Sequence, residues 1–167
     1  MIKEEMIFDI DLGRCTGCQA CVVACMDQND IDVCKDTALR DVSVVKPGYS
    51  VTGKLAYVSL ACFHCDDAPC IAGCPTGCLQ RDENGMVACE TSLCIGCHSC
   101  LIYCPYGAPR FDADGKIQKC NGCSERVECG LIPACVRVCP TKALKYDTRE
   151  NLEGMKKEKM LRRLASR

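Results

Sequence analysis

Sixteen cysteines at four repeated spacings constrain this chain more than anything else in it. The first group is Cys15, Cys18, Cys21 and Cys25, spaced C-x2-C-x2-C-x3-C. The second is Cys62, Cys65, Cys70 and Cys74, spaced C-x2-C-x4-C-x3-C and followed by Pro75. The third is Cys94, Cys97, Cys100 and Cys104, again C-x2-C-x2-C-x3-C, followed by Pro105. The fourth is Cys120, Cys123, Cys135 and Cys139, spaced C-x2-C-x11-C-x3-C and followed by Pro140. Cys34, Cys78, Cys89 and Cys129 stand outside the groups. So dense a pattern leaves two broad solutions, a disulfide framework or bound metal.

Compartment and composition separate them. Residues 1–11, MIKEEMIFDID, hold neither the apolar core of a secretory signal nor a twin-arginine pair. The expectation is a cytoplasmic chain, and in reducing cytosol clustered cysteines hold metal. The hydrocarbon core is thin, with aromatics at 5 % of 167 residues and no Trp. Ordering a residue's backbone costs about 1–2 kcal/mol, so something besides hydrocarbon holds the fold. Lys and Arg number 21 against 22 Asp and Glu, which offers no basic field to nucleic acid. No stretch approaches the roughly 20 apolar residues of a membrane span.

The spacing selects the metal. Cysteines two residues apart on a tight loop reach different irons of one small cube, while the loop's N–H groups turn toward its sulfides. The x3 step puts the last cysteine one helical turn on, facing a second cube, and Pro ends the short helix by disfavouring helical backbone just before it. The third group is the complete bacterial ferredoxin run, whose fourth cysteine ligates the other cluster of a pair. Structural zinc, with two knuckles brought together by a spacer, fits poorly. The segments CPTGCL (74–79), CPYGA (104–108) and CPTKAL (139–144) repeat one Cys-Pro exit, as copies of a half-ferredoxin unit would. The expected fold is duplicated ferredoxin-like α+β, two lobes with two cubanes each and a C-terminal helical extension.

The phrases RCTGCQACVVAC, CFHCDDAPCIAGCPTG, CIGCHSCLIYCPYGAPRF and KCNGC…PACVRVCPTKAL resemble, in order, the motifs of the four-cluster iron-sulfur electron-transfer subunits of molybdenum and tungsten oxidoreductases, the dimethyl sulfoxide reductase type. The resemblance covers residues 5–146 and implies an exchange of ligands between motifs. One cluster (a) would take Cys15, Cys18, Cys21 and Cys139, and its lobe partner (b) Cys120, Cys123, Cys135 and Cys25. A third (c) would take Cys62, Cys65, Cys70 and Cys104, and the fourth (d) Cys94, Cys97, Cys100 and Cys74. The lobes would be residues 1–58 with 110–147, and 59–109, followed by an arm over 148–167. Four [4Fe-4S] clusters in a row would form a wire to a catalytic molybdopterin or tungstopterin subunit, aldehyde oxidoreductase-type enzymes included, and a further flavin or redox subunit is compatible with it. The first motif departs from the pattern, ending in Cys25-Met26 without Pro. The chain also lacks the long insertions of larger relatives, which lends less support to a quinone-linked membrane partner.

The function this implies is electron transfer without catalysis: no G-x-G-x-x-G, P-loop or metalloprotease pair is present. A free soluble polyferredoxin and a subunit of a hydrogenase or formate hydrogenlyase assembly are the alternatives. His64 and His98, inside cluster loops, are expected to tune potential through hydrogen bonding or charge, with a pH-dependent potential as the sign. Arg14 and Lys119, each just before a first ligand, are either of that kind or plain surface charges. Cys34, Cys78, Cys89 and Cys129 are expected to be small, partly buried packing thiols near clusters and not ligands. Strands are expected at 6–11, 42–46, 55–61, 85–89, 143–147 and around Asp114-Gly115, with short helices after the cluster loops. Leu152, Met155, Leu161 and Leu164 recur at helical spacing in the arm, which is either a surface helix packed on a lobe or a docking element for a partner.

Overall fold

The computed structural model describes residues 6–50 and 53–165. Its strands form four separate two-stranded antiparallel ribbons. β1 (Met6–Ile10) pairs with β8 (Leu144–Thr148), with Phe8 opposite Tyr146 and Ile10 opposite Leu144. β2 (Asp41–Val45) pairs with β3 (Ala56–Leu60), β4 (Leu79–Arg81) with β5 (Val87–Cys89), and β6 (Arg110–Phe111) with β7 (Ile117–Gln118). A lone two-stranded ribbon is marginal in water, so each must be fixed by what lies against it.

Six helices supply part of that support: α1 (Ala20–Gln28), α2 (Pro69–Ala72), α3 (Ser99–Tyr103), α4 (Ser124–Glu128), α5 (Ala134–Arg137) and α6 (Arg149–Ala165). α2, α3 and α5 stop just before the Cys-Pro steps at 74–75, 104–105 and 139–140. α1 follows the group that lacks Pro and runs on to Asn29, whose side chain donates to the Cys25 carbonyl at 2.7 Å. α1 packs on α5, and α2 on α3, which joins motif one to motif four and motif two to motif three. Two small nuclei result. One is Cys21, Cys135, Val136, Cys139, Ala143 and Leu144; the other is Ala68, Cys78, Leu79, Val87, Cys100 and Ile117. Helices, short ribbons and cysteine-centred nuclei together are a ferredoxin-like α+β fold.

The hairpins β4–β5 and β6–β7 turn on the same device. The Asp82 carboxylate accepts the N–H groups of Asn84 and Met86, both at 2.8 Å, and Asp112 accepts those of Asp114 and Lys116 at 3.0 and 2.9 Å. Gly85 and Gly115 take the left-handed position of each turn, which glycine reaches without strain. Neither β4 nor α4 follows from hydropathy alternation: β4 is only three residues long, and α4 lies inside the 11-residue spacer of the fourth motif. α6 is capped by the Thr148 hydroxyl, which accepts the Asn151 N–H at 3.3 Å. It packs on β1 and β8, burying Leu152 and pairing Lys156 with Asp9 at 2.6 Å and Lys159 with Asp11, while Met160, Leu161 and Leu164 stay exposed. No helix among the described residues is long and apolar enough to cross a membrane.

Candidate iron-sulfur sites

The four cysteine loops share one backbone solution. The residue two after each first cysteine is left-handed: Gly17 (φ 72°), His64 (φ 50°), Gly96 (φ 69°) and Gly122 (φ 74°). That conformation turns the residue's own N–H back to the sulfur. His64, Gly96 and Gly122 donate to Cys62, Cys94 and Cys120 Sγ, each at 3.4 Å. The Cys-Pro exits repeat a second device, with a left-handed residue three after the cysteine at Gly77, Gly107 and Lys142. It brings the next N–H onto the sulfur, Ala108 to Cys104 at 3.4 Å and Ala143 to Cys139 at 3.2 Å. Thr76 and Thr141 hydroxyls lie 3.7 Å from Cys74 and Cys139 Sγ. Donors aimed at sulfur stabilise thiolate over thiol.

These loops gather cysteines across motifs. Cys15, Cys18 and Cys21 line one cavity with Cys139. Cys94, Cys97 and Cys100 line another with Cys74, alongside His98 and the fifth thiol Cys78. Elsewhere the thiols sense one another's charge. Cys25 is pushed up to about 12 by burial and then by Cys120, Cys135 and Cys123. Cys62 is raised by burial and by Cys120 and Cys104, Cys65 and Cys70 by burial and by Cys62 and Cys104. A concavity of about 610 Å³ between α6 and Asp11 to Arg14 has no cysteine in its wall.

The donor chemistry fits [4Fe-4S] clusters. All twenty cysteines are unbridged. Burial raises Cys135 and Cys100 to about 11, each set's own charges adding to it, so ionising four such thiols together calls for a cation at their centre. At Cys74 burial pushes upward, but the Leu79 N–H and the Thr76 hydroxyl outweigh it and the thiol falls to about 7. Among the described residues no three Cys, His, Asp or Glu side chains converge tightly enough for a single ion. The thiols of sets a and d instead ring cavities, as a multi-iron cube requires. Where backbone N–H donors would meet sulfur they already do, the Ile117 N–H reaching Cys94 Sγ at 3.3 Å.

The flanking residues divide. His64 is buried, its Nδ1 accepts the Val87 N–H at 3.0 Å, and burial holds its pKa down at about 3. The ring is therefore a neutral hydrogen-bond acceptor here. Its Nε2 is buried without a partner, the one such orphan among the described residues. His98 is exposed and stacks on Phe111, ring centroids 3.9 Å apart. Lys119 is 5 % exposed and is no surface charge, whereas Arg14 is exposed. Of the cysteines outside the motifs, Cys78 is buried and Cys89 half-buried, but Cys34 and Cys129 are exposed. Sequence spacing carried no sign of Arg40 and Ser59, which lie between motifs; Ser59 sits 3.3 Å from Cys21 Sγ and accepts Arg40 Nη1 at 2.9 Å. Thr76 and Thr141 were findable, since both stand two after a pre-proline cysteine.

A family profile described as 4Fe-4S dicluster domain matches residues 53–149. The probable anaerobic dimethyl sulfoxide reductase chain YnfG of Escherichia coli K12 is 38 % identical over 87 % of this chain and 74 % of its own length. The thiosulfate reductase electron transfer subunit PhsB of Salmonella typhi is 41 % identical over 81 % of this chain and 72 % of its own. The formate dehydrogenase-O iron-sulfur subunit of E. coli K12 is 33 % identical over 95 % of this chain and 58 % of its own. With thiols arranged for [4Fe-4S] clusters and these relatives, the chain belongs to the 4Fe-4S dicluster family, as a non-catalytic iron-sulfur electron-transfer subunit of an oxidoreductase complex.

Proposed function

We propose that the chain carries four [4Fe-4S] clusters in two ferredoxin-like lobes and relays single electrons between a catalytic molybdenum or tungsten pterin subunit and another redox partner. The observation that carries this reading is the cavity shared by Cys15, Cys18 and Cys21 of motif one with Cys139 of motif four. Its counterpart joins Cys94, Cys97 and Cys100 of motif three to Cys74 of motif two. Both follow the exchanged sets a and d, and the mutual charge effects among Cys25, Cys120, Cys123 and Cys135, and among Cys62, Cys65, Cys70 and Cys104, favour sets b and c. For lobes of residues 1–58 with 110–147, and 59–109, the packing of α1 on α5 and α2 on α3 supports the pairing of motifs, while β6 and β7 pack with 59–109 through Phe111 and Ile117.

Bound clusters supply reversible one-electron storage at potentials set by hydrogen bonds, charge and burial. The chain's part is to order them. Cys135 feels Cys21, so b stands beside a; Cys62 feels Cys120, so c stands beside b. The sequence of sites is then a, b, c, d. Cys18 and Cys97 are exposed and bring the two ends near the surface, where partners exchange electrons. The relatives named for dimethyl sulfoxide, thiosulfate and formate enzymes support a catalytic partner chain.

Anaerobic native purification with iron, labile sulfide and partner identification tests this. About sixteen irons per chain, together with a pterin-binding chain, is the expected result. Bound zinc in place of iron overturns the cluster reading, and a lone chain with full iron overturns the complex in favour of a diffusing carrier.

A further inference from the structure

The four buried polar or charged side chains among the described residues are Arg40, Ser59, His64 and Lys119; His64 and Lys119 meet through Val87 between sets b and c, whereas Arg40 and Ser59 reach Cys21 of set a. Lys119 Nζ donates to the carbonyls of Val87 and of Cys120, a set b cysteine. The Val87 N–H in turn goes to His64, in the loop of set c. Arg40 reaches Ser59, which touches Cys21. Neither cation has a carboxylate partner among the described residues. Burying a cation costs several kcal/mol unless negative charge answers it, and the negative groups in reach here are thiolates. Lys119 acts on Cys62, Cys70 and Cys120; Arg40 acts on Cys25, Cys120 and Cys135. All of these belong to b and c, but the thiol that Arg40 reaches through hydrogen bonds, Cys21, belongs to a. At the outer positions Cys74, Cys97, Cys100 and Cys139, no cation stands among the groups that shift them.

Resting on the four-cluster reading above, we propose that Lys119 is a buried fixed charge that raises the reduction potentials of the two inner clusters, b and c, selectively. Reduction adds one negative charge to a cluster already net negative, so a nearby cation in low dielectric favours the reduced form. The same charge offsets the desolvation of thiolates that have little water around them.

The experiment uses the full complex, with iron counted first, since about sixteen irons in the unaltered chain tests the cluster reading itself and fewer would sink that reading separately. Potentiometric titrations followed by electron paramagnetic resonance then compare Lys119→Gln, Lys119→Arg, Arg40→Gln and Arg40→Lys, with signals assigned by cysteine-to-alanine loss of each set. Lys119→Gln is expected to make b and c at least tenfold harder to reduce, which is 59 mV for a one-electron couple, with a and d unmoved; Arg40→Gln, on the side of Cys21, is the control that leaves c and d unmoved. The charge-keeping variants retain the native values. If Lys119→Gln fails to load b or c while Lys119→Arg loads fully, the electrostatic role stands, read as assembly. Unmoved inner potentials in fully loaded Lys119→Gln, equal shifts in all four clusters, or equal loss of iron in Lys119→Gln and Lys119→Arg each overturn the proposal.

Discussion

Exchange of ligands between motifs makes a countable prediction about pairs of substitutions. Cys139 lines a cavity with Cys15, Cys18 and Cys21, while Cys135, four residues earlier, is raised by Cys120 and Cys123. Replacing one thiolate of a cubane by alanine, which offers no substitute donor, removes that cluster's about four irons. Cys15→Ala and Cys139→Ala should each leave about twelve of sixteen irons, and because both act on one cluster the double variant should also leave about twelve. Cys135→Ala with Cys139→Ala acts on two clusters and should leave about eight. If each motif instead held its own cube, the figures would swap, eight for the first double variant and twelve for the second. Iron and labile sulfide per chain, measured on anaerobically purified protein with the single variants alongside, read the difference directly. A first double variant with half the iron, or loss of all iron in Cys139→Ala alone, refutes the shared cavity as a cluster site.

Gly96→Ala should cost about 1–2 kcal/mol for the left-handed backbone, and more because its Cβ would stand 3.0 Å from the Gly115 carbonyl oxygen; Gly107→Ala, with open space around it, should cost only the backbone part, and equal falls in melting temperature would contradict this. His64→Leu leaves the buried Val87 N–H unpaired, a loss of about 1–3 kcal/mol in chemical denaturation of the anaerobic protein, and an unchanged midpoint would show the bond to be worth nothing. Lys159 holds the Asp11 carboxyl below its ordinary range despite partial burial. That contribution is present above the ordinary carboxylate pKa and is lost as pH falls through the folded value, so acidification should speed amide exchange in β1, by at most about 1 kcal/mol, and Lys159→Ala should weaken the pH dependence, the Gly13 N–H and Lys145 supplying what remains. Stripping iron with an anaerobic chelator should abolish the far-ultraviolet circular dichroism in step with the cluster absorbance, since binding free energy is folding free energy in small metal domains; a folded, iron-free chain would contradict that.

What the sequence made legible was whatever is built locally. Motif spacing foretold the tight loops and the short helices after them; that α1 runs longer after the one group without Pro is seen only in the structure. Alternating apolar residues foretold β1, β2, β3 and β8. Elements set by tertiary demands were not visible: β4, whose three residues Leu79–Arg81 are strand only because Val87–Cys89 pairs with them, and α4, a turn of helix held inside a spacer. Likewise Lys119 could be read from its position only as one of two kinds of charge, because whether a lysine beside a ligand is solvated depends on what packs over it. Arg40 was silent altogether, its role arising from Ser59 on β3, 19 residues away.

The same reasoning explains why a chain so poor in aromatic residues can fold. In the two nuclei, five of the twelve buried members are cysteines, and the rest are mostly small or aliphatic residues laid directly against them. Such positions cannot be packed with larger hydrocarbon without losing the donors, and buried thiols raised to about 11 or 12 cannot ionise together without a cationic centre. The ribbons, too short to persist alone, present N–H groups to sulfur instead of further strands, as Ile117 does to Cys94. Each local economy points the same way: the sequence omits a hydrocarbon core where four cubes would stand, so mutations that enlarge the apolar nuclei should not stabilise the loaded protein, whereas those that add a donor to a cysteine sulfur should.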